Sequence, residues 1–189
     1  MAMTTHFINI TLLPDPEFSQ VHLLGALVAK LHKALVRLRR EDIGVSFPEY
    51  SLRPRSLGKV VRLHGGEATL LGLMAHSWLQ GMRDHVAVSA VALIPDGATY
   101  QIVQRRQFKT NVERMRRRRM RRKDESIEQA AAAIPDSVER TPNLPYVQMR
   151  SASTGESFCL FIDQAVALAG VSGKFNGYGL SQGATVPCF

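Results

Sequence analysis

The chain has 189 residues, 45% of them hydrophobic, a formal net charge of +8 and two cysteines, Cys159 and Cys188. That is enough for one large or two small globular domains with a real core, and too few cysteines for a disulfide framework. The six histidines are scattered and none pairs at metal-ligand spacing, no apolar run approaches the ~18 residues of a membrane span, and no cationic start leads into an apolar segment; a reducing, cytoplasmic compartment is expected, with no metal, no cofactor and no membrane.

In chain order, residues 6–13 alternate, with Ile8, Ile10 and Leu12 on one face and Phe7, Asn9 and Thr11 on the other. That is a half-buried strand, ended by Pro14 and Pro16. A helical pattern follows over residues 17–39, where Val21, Leu24, Leu27, Val28, Leu31, Leu35 and Leu38 form one apolar stripe. Residues 43–47 read as a short strand stopped by Pro48, and residues 59–64 as another, broken by Gly65 and Gly66. Residues 67–82 predict a second amphipathic helix with Leu70, Leu71, Leu73, Met74 and Trp78, and residues 86–94 a strand rich in β-branched residues. The order β-α-β-β-α-β is the ferredoxin-like signature.

Pro95, Asp96 and Gly97 form a turn cluster, and the domain boundary is expected there. The fold class is therefore α+β: a ferredoxin-like domain over residues 1–97, then an α+β domain over residues 98–189 with an antiparallel sheet and an arginine-rich helix. In the second part, residues 100–109 read as an extended segment. Thr110 and Glu113 match a capping box that opens a helix running to about Lys123. Ser126 and Gln129 match another, opening a short helix that must stop before Pro135. Residues 146–150 and 157–162 read as a hairpin, and the glycine-rich tail from Gly173 as irregular backbone or a short hairpin with close chain approaches.

Residues 114–123, RMRRRRMRRK, hold eight of the 24 lysines and arginines, so the rest of the chain sums to about zero charge. Arg114, Arg117, Arg118, Arg121 and Arg122 fall on one helical face. Such crowding repels by a few tenths of a kcal/mol per pair, which a polyanion relieves. The guanidinium fork suits phosphates and base edges, so nucleic acid is the expected partner, with RNA and DNA both open at this point. Among polyanions an anionic membrane surface ranks second, and a solvated charged face or an acidic protein partner is the competing reading.

Several segments carry a resemblance. They are LLPDPEF (12–18), KLHKAL (30–35), IGVSFP (43–48), AIPD (133–136) after the arginine helix, RSASTGESFCLFI (150–162) and GYGLSQG (177–183). In this order and spacing the chain resembles, nearly end to end, the CRISPR repeat-RNA processing endoribonuclease of type I-F systems. The resemblance implies a metal-independent enzyme that binds a repeat RNA stem-loop and cuts at the 3′ base of the stem. A 2′-hydroxyl attacks the adjacent phosphate, leaving a 2′,3′-cyclic phosphate. The crRNA stays bound, with the protein as head of a guided complex with other type I-F subunits.

It also implies roles. His32 is the general base, Ser151 holds the 2′-hydroxyl, assisted by Ser153, and Tyr178 orients the histidine. Arg105 and Gln107 read base edges; Arg114, Arg117, Arg118, Arg121 and Arg122 meet phosphates or the groove; Phe158 stacks on the terminal base pair. By their own pattern His32 is a boundary histidine beside the apolar stripe, Phe158 a strand residue of the core, and Tyr178 a packing anchor between glycines. A non-catalytic subunit that grips the RNA hairpin is the alternative within this class.

Overall fold

The computed structural model describes residues 4–108, 112–138, 142–151 and 155–189. In chain order its elements are β1 (His6–Leu12), α1 (Gln20–Arg37), β2 (Gly44–Ser46), β3 (Ser51–Leu52), β4 (Arg55–Ser56), β5 (Val60–Gly65), α2 (Glu67–Met74), β6 (Val86–Val88), β7 (Ala92–Leu93) and β8 (Thr99–Arg106). There follow α3 (Val112–Lys123), α4 (Ile127–Ala133), β9 (Tyr146–Arg150), β10 (Ser157–Ala167), β11 (Lys174–Phe175), β12 (Ser181–Gln182) and β13 (Val186–Cys188). By contact the chain forms two units. Residues through Arg106 together with Leu144–Phe189 make one, and Gln107–Asn143 the other.

The first unit holds two main sheets. In one, the spatial order is β2-β5-β1-β6, with β7 also pairing β1, and every pair is antiparallel. Helix α1 joins the first strand of that set to the second, and α2 joins the third to the fourth. The chain thus runs β-α-β-β-α-β through this sheet. The other sheet has the order β13-β8-β10-β9, also antiparallel. Ile8, Ile10 and Leu12 of β1 are buried, as the alternation requires, and so are Leu24, Leu27, Val28, Leu31 and Leu35 of α1. They share one core with Val103, Val147, Leu160, Ile162 and Val186 of the second sheet. Residues on both sides of the turn at Gly97 therefore build one apolar interior. Gly25 lets α1 lie directly on β9, since a Cβ there would come 2.6 Å from the Gln148 carbonyl oxygen. The Gln164 side-chain amide accepts from the Phe47 N–H and donates to the Phe47 carbonyl, each at 3.0 Å, which ties β10 to the end of β2.

Strand β10 runs on to Ala167, beyond the 162 expected, and three other boundaries differ from expectation for a local reason. The first helix starts at Gln20 rather than at 17, because the Asp15 carboxylate accepts the N–H groups of Glu17 and Phe18 and Ser19 caps the helix. Those two backbone bonds hold the Asp15 carboxyl below the usual carboxylate range. The second helix ends at Met74 rather than at 82. Beyond it the chain closes four-residue turns at Ser77–Gln80 and Leu79–Met82, and Gly81 at φ 74° lies outside helical space. The strand expected over 86–94 is split into β6 and β7. Ile10 pairs with Val88 and Phe7 with Ala92, so the second strand carries one extra residue, a β-bulge. Ser89 serves both backbone groups of Asn9 there, its N–H donating to the Asn9 carbonyl and its Oγ accepting the Asn9 N–H.

His64 of β5 is fully buried, with Nε2 2.8 Å from the Ser46 hydroxyl and Nδ1 without a hydrogen-bond partner among the described residues. Burial, helped by the charge of Arg62, pushes its pKa down to about 3. An imidazole in the unfolded chain titrates near 6.5, so between those values unfolding takes up a proton. Stability is full above about pH 6.5 and falls as the pH drops toward the folded pKa, by about 1.4 kcal/mol per unit. Urea midpoints at about pH 7 and pH 5 are expected to fall further for the wild type than for His64→Gln. Equal falls would place the acid sensitivity elsewhere.

The second unit is a helical pair. The capping box at Ser126 is present in full: its Oγ accepts the Gln129 N–H and the Gln129 Oε1 accepts the Ser126 N–H. Helix α4 stops at Ala133, before Pro135. Thr110, the expected cap of α3, lies outside the described residues.

Candidate functional site

His32 projects from α1 beside the buried stripe and is half-buried. Its Nδ1 lies 2.7 Å from the carbonyl oxygen of Gly177, 145 positions away in sequence. A carbonyl oxygen can only accept. Nδ1 therefore carries the proton in the neutral ring, and Nε2 keeps its lone pair. The Tyr178 ring lies flat on the imidazole, with centroids 3.9 Å apart and planes 7° from parallel. The hydrogen bond fixes the ring's rotation and the stack fixes its tilt. In the neutral ring this leaves one basic nitrogen in a set direction, the arrangement a general base requires.

The partner atoms come from a tight turn at residues 176–180. The Asn176 carbonyl accepts the Gly179 N–H and the Asn176 N–H donates to the Leu180 carbonyl, both at 2.8 Å. The Asn176 side chain holds the same turn from within, its Oδ1 accepting from Tyr178 N–H at 2.8 Å and Leu180 N–H at 3.1 Å. Gly179 sits at φ 73°, and a Cβ on it would come 2.4 Å from Val45 Cγ2. Its carbonyl accepts the Val45 N–H at 2.8 Å, pinning the turn to β2. The expected hairpin with close chain approaches is thus built from β11, this turn and β12. The Asn-Gly pair at 176–177 is a turn signal in the sequence. Nothing in the sequence says that the Gly177 carbonyl faces His32.

Ser151 is half-buried at the end of β9. Its N–H donates to the Glu156 carbonyl at 2.8 Å and its own carbonyl accepts the Gly155 N–H at 2.9 Å. The strand that leads into Ser151 packs on the helix that carries His32, through the Gly25–Gln148 approach. His32 and Tyr178 are brought into contact; for Ser151 the structure supplies the shared packing of its strand. Ser153 lies outside the described residues.

Arg105 is exposed at the end of β8, and its guanidinium carbon lies 5.8 Å above the Phe158 ring. Phe158, half-buried on β10, also packs against the core, so its strand reading and its place beside Arg105 hold together. Arg106 is tied to Asp163 at 2.8 Å. Gln107 opens the second unit and is exposed.

Within that unit the arginines divide into two sets. Arg116 donates to the Ile134 carbonyl at 2.9 Å and pairs with Asp136 at 2.8 Å. Arg119 grips Glu125 through two nitrogens, at 2.6 and 3.0 Å, and that pairing holds the Glu125 carboxyl below its ordinary range. These two fasten α3 to α4 and the turn between them. Arg114, Arg117, Arg118, Arg121 and Arg122 are exposed. Among the described residues the last four have no ion pair or side-chain hydrogen bond. The sequence pattern put those five on one face; the separate structural task of Arg116 and Arg119 needed the fold to be seen. Also among the described residues, no three His, Cys, Asp or Glu side chains cluster as a metal site, and no helix is long and apolar enough to cross a membrane.

Residues 7–189 match the family described as CRISPR-associated protein (Cas_Csy4). The chain is 44% identical over 185 residues to a CRISPR-associated endonuclease Cas6/Csy4 of Pseudomonas aeruginosa (strain UCBPP-PA14), covering 97% of this chain and 99% of that one. It is 39% identical, with the same coverage, to a protein of the same name from Escherichia coli (strain UTI89 / UPEC). A solved structure titled "An RAMP protein binding different RNA substrates" aligns over 99% of this chain at 10% identity and a TM-score of 0.35, a likeness too loose to carry a fold assignment.

Proposed function

The chain belongs to the CRISPR-associated Cas_Csy4 family, and from that membership we propose that it is an endoribonuclease that processes CRISPR repeat RNA, cutting without a metal ion at the 3′ base of the repeat hairpin. The observation that carries the mechanism is the donation from His32 Nδ1 to the Gly177 carbonyl, which leaves Nε2 as the base. Nε2 takes the proton of the 2′-hydroxyl. The 2′-oxygen attacks the adjacent phosphorus and the bond from phosphorus to the 5′-oxygen breaks. The proton held by the imidazolium is then available to the departing 5′-oxygen, and a 2′,3′-cyclic phosphate remains. Ser151 holds the 2′-hydroxyl, and Tyr178 keeps the imidazole aligned by stacking.

In the same proposal Arg105 and Gln107 read base edges, Phe158 stacks on the end of the stem, and the exposed arginines of α3 meet the RNA backbone. The first portion of the chain, residues 1–97, takes the ferredoxin-like role and carries His32, while residues 98–189 carry the arginine helix. The crRNA is retained and docks the protein onto other subunits of a type I-F complex in the cytoplasm.

The test is to incubate the protein with its cognate repeat RNA, with and without EDTA, and to map the ends. Equal cutting in both, with a 2′,3′-cyclic phosphate upstream and a 5′-hydroxyl downstream, is expected. Loss of cutting in EDTA, or a 3′-hydroxyl product, overturns the mechanism.

Asn176 offers a finer test. Asn176→Ala removes the acceptor of two backbone N–H groups in the turn that aims Gly177 at His32. With one such hydrogen bond worth about 1 kcal/mol, the single-turnover cutting rate is expected to fall roughly tenfold, with hairpin affinity unchanged. Asn176→Asp keeps the acceptor and is expected to retain most of the rate. Equal loss in both variants would show that the amide does something other than accept those two bonds.

A further inference from the structure

We propose that a basic groove on the flank of α1 holds the single-stranded RNA that continues 3′ of the cut; the proposal rests on the endoribonuclease reading above. The groove has a volume of about 490 Å³, and its lining includes Lys30, Lys33, Arg37, His76, Trp78 and Gln80. A second hollow of about 480 Å³ shares Ser77 and Gln80 with it and is closed beyond them by Arg83 and Asp84, so the cationic tract is confined to the first.

Three features identify the occupant. The cations are concentrated: Lys30, Lys33 and Arg37 recur at i, i+3 and i+7, so they share one face of α1 and span about 10 Å along it. No carboxylate lines this part of the groove. Lys30 is partly engaged, donating to the Gln80 carbonyl at 2.7 Å, whereas Lys33 and Arg37 are exposed and have no side-chain hydrogen bond or ion pair among the described residues. Rings then stand among the charges: His76 is exposed, and Trp78 lines the groove while also packing against the core. A tract of cations with rings for stacking is how proteins follow a single strand without reading its sequence. Finally, Ala34 and Leu38 are the aliphatic side chains of the lining, and both lie under the helix rather than forming an exposed apolar centre, Ala34 being buried and Leu38 half-buried. A protein partner would want an apolar centre with a charged rim.

Position agrees with chemistry. Lys33 follows His32 in the chain, and the two faces of α1 are separated by about one helix diameter, roughly 10–12 Å. A strand leaving a phosphate at His32 meets this flank of the helix after a short length. This gives the cations of α1 a task separate from those of α3, which lie in the other unit.

The experiment compares two uncleavable RNAs, each with a 2′-deoxy sugar at the cut: the hairpin alone, and the hairpin with a short 3′ oligouridine tail. Binding is measured by fluorescence anisotropy across a salt series, for the wild type and for a Lys33→Gln/Arg37→Gln double variant. Both side chains are exposed, so the variant is expected to fold. The tail is expected to tighten wild-type binding severalfold. The double variant is expected to lose that gain, and its salt slope for the tailed RNA to drop by about 0.7 per lost phosphate contact, with hairpin binding unchanged. A tail that adds nothing to wild-type affinity overturns the proposal and leaves the groove to an acidic protein surface. So does a variant that weakens both RNAs equally. Failure of the wild type to bind the hairpin at all overturns the RNA reading together with this one.

Discussion

A His32→Ala variant is expected to hold the repeat hairpin at wild-type affinity and to cut it about 10²- to 10⁴-fold more slowly, the range that a positioned general base contributes. The expectation follows from how the ring is held. Its Nδ1 proton is committed to the Gly177 carbonyl at 2.7 Å, and the Tyr178 ring covers one face at 3.9 Å. One nitrogen remains for chemistry. Alanine removes it and leaves the turn at 176–180 intact, because that turn is held by Asn176 and Val45 rather than by His32. Affinity should survive, since the exposed cations proposed to grip the RNA are on other elements. Single-turnover cutting at saturating protein, with affinity measured separately on an uncleavable hairpin, separates the two effects. Added imidazole is expected to restore part of the rate to the variant, as it supplies the missing base. Undiminished cutting by His32→Ala would remove this residue from the mechanism.

Replacing Arg117, Arg118, Arg121 and Arg122 together by alanine is expected to do the opposite. Hairpin affinity should fall by at least about a hundredfold at low salt, four charge-assisted contacts being lost. The slope of log affinity against log salt should flatten by about 0.7 to 0.9 for each contact that reached a phosphate. Cutting of RNA that is driven onto the protein by excess should persist, because none of the four is proposed to touch the reacting atoms. The structure supplies the control. Arg116 and Arg119 lie on the same helix but are spent on Ile134, Asp136 and Glu125. Replacing that pair removes as much charge per residue, yet it should loosen the α3–α4 packing and leave the salt slope much closer to wild type. An unchanged slope in the fourfold variant would mean that this face meets something other than RNA.

Much of this protein was legible in its sequence, wherever the determinant was local. The alternation of Ile8, Ile10 and Leu12 sufficed for β1, since a strand with one buried face has only one register that hides all three. The stripe from Leu24 to Leu35 sufficed for α1, and Ser126 with Gln129 for the start of α4, because a capping box closes within four residues. The crowding of arginines raised the expectation of a polyanion partner from charge alone. Legibility failed where distant groups compete with local pattern. The residues from Ala75 to Met82 keep an apolar pattern, but buried Leu79 and Met82 are reached by turns rather than by a helix. The bulge at Ser89 depends on Asn9, 80 residues away, whose backbone it satisfies.

The sequence by itself determined the elements whose pattern is local, the segregation of charge and, through family resemblance, the residues to look at. The tertiary structure decided the chemistry of the imidazole. Which nitrogen of His32 carries the proton depends on a backbone carbonyl 145 positions away, in a turn shaped by Asn176 and pinned by Val45. A carbonyl has no side-chain identity to read in a sequence. Only the folded backbone aims it, and only there does one ordinary histidine beside an apolar stripe gain a fixed tautomer, with the free lone pair of its neutral ring on Nε2.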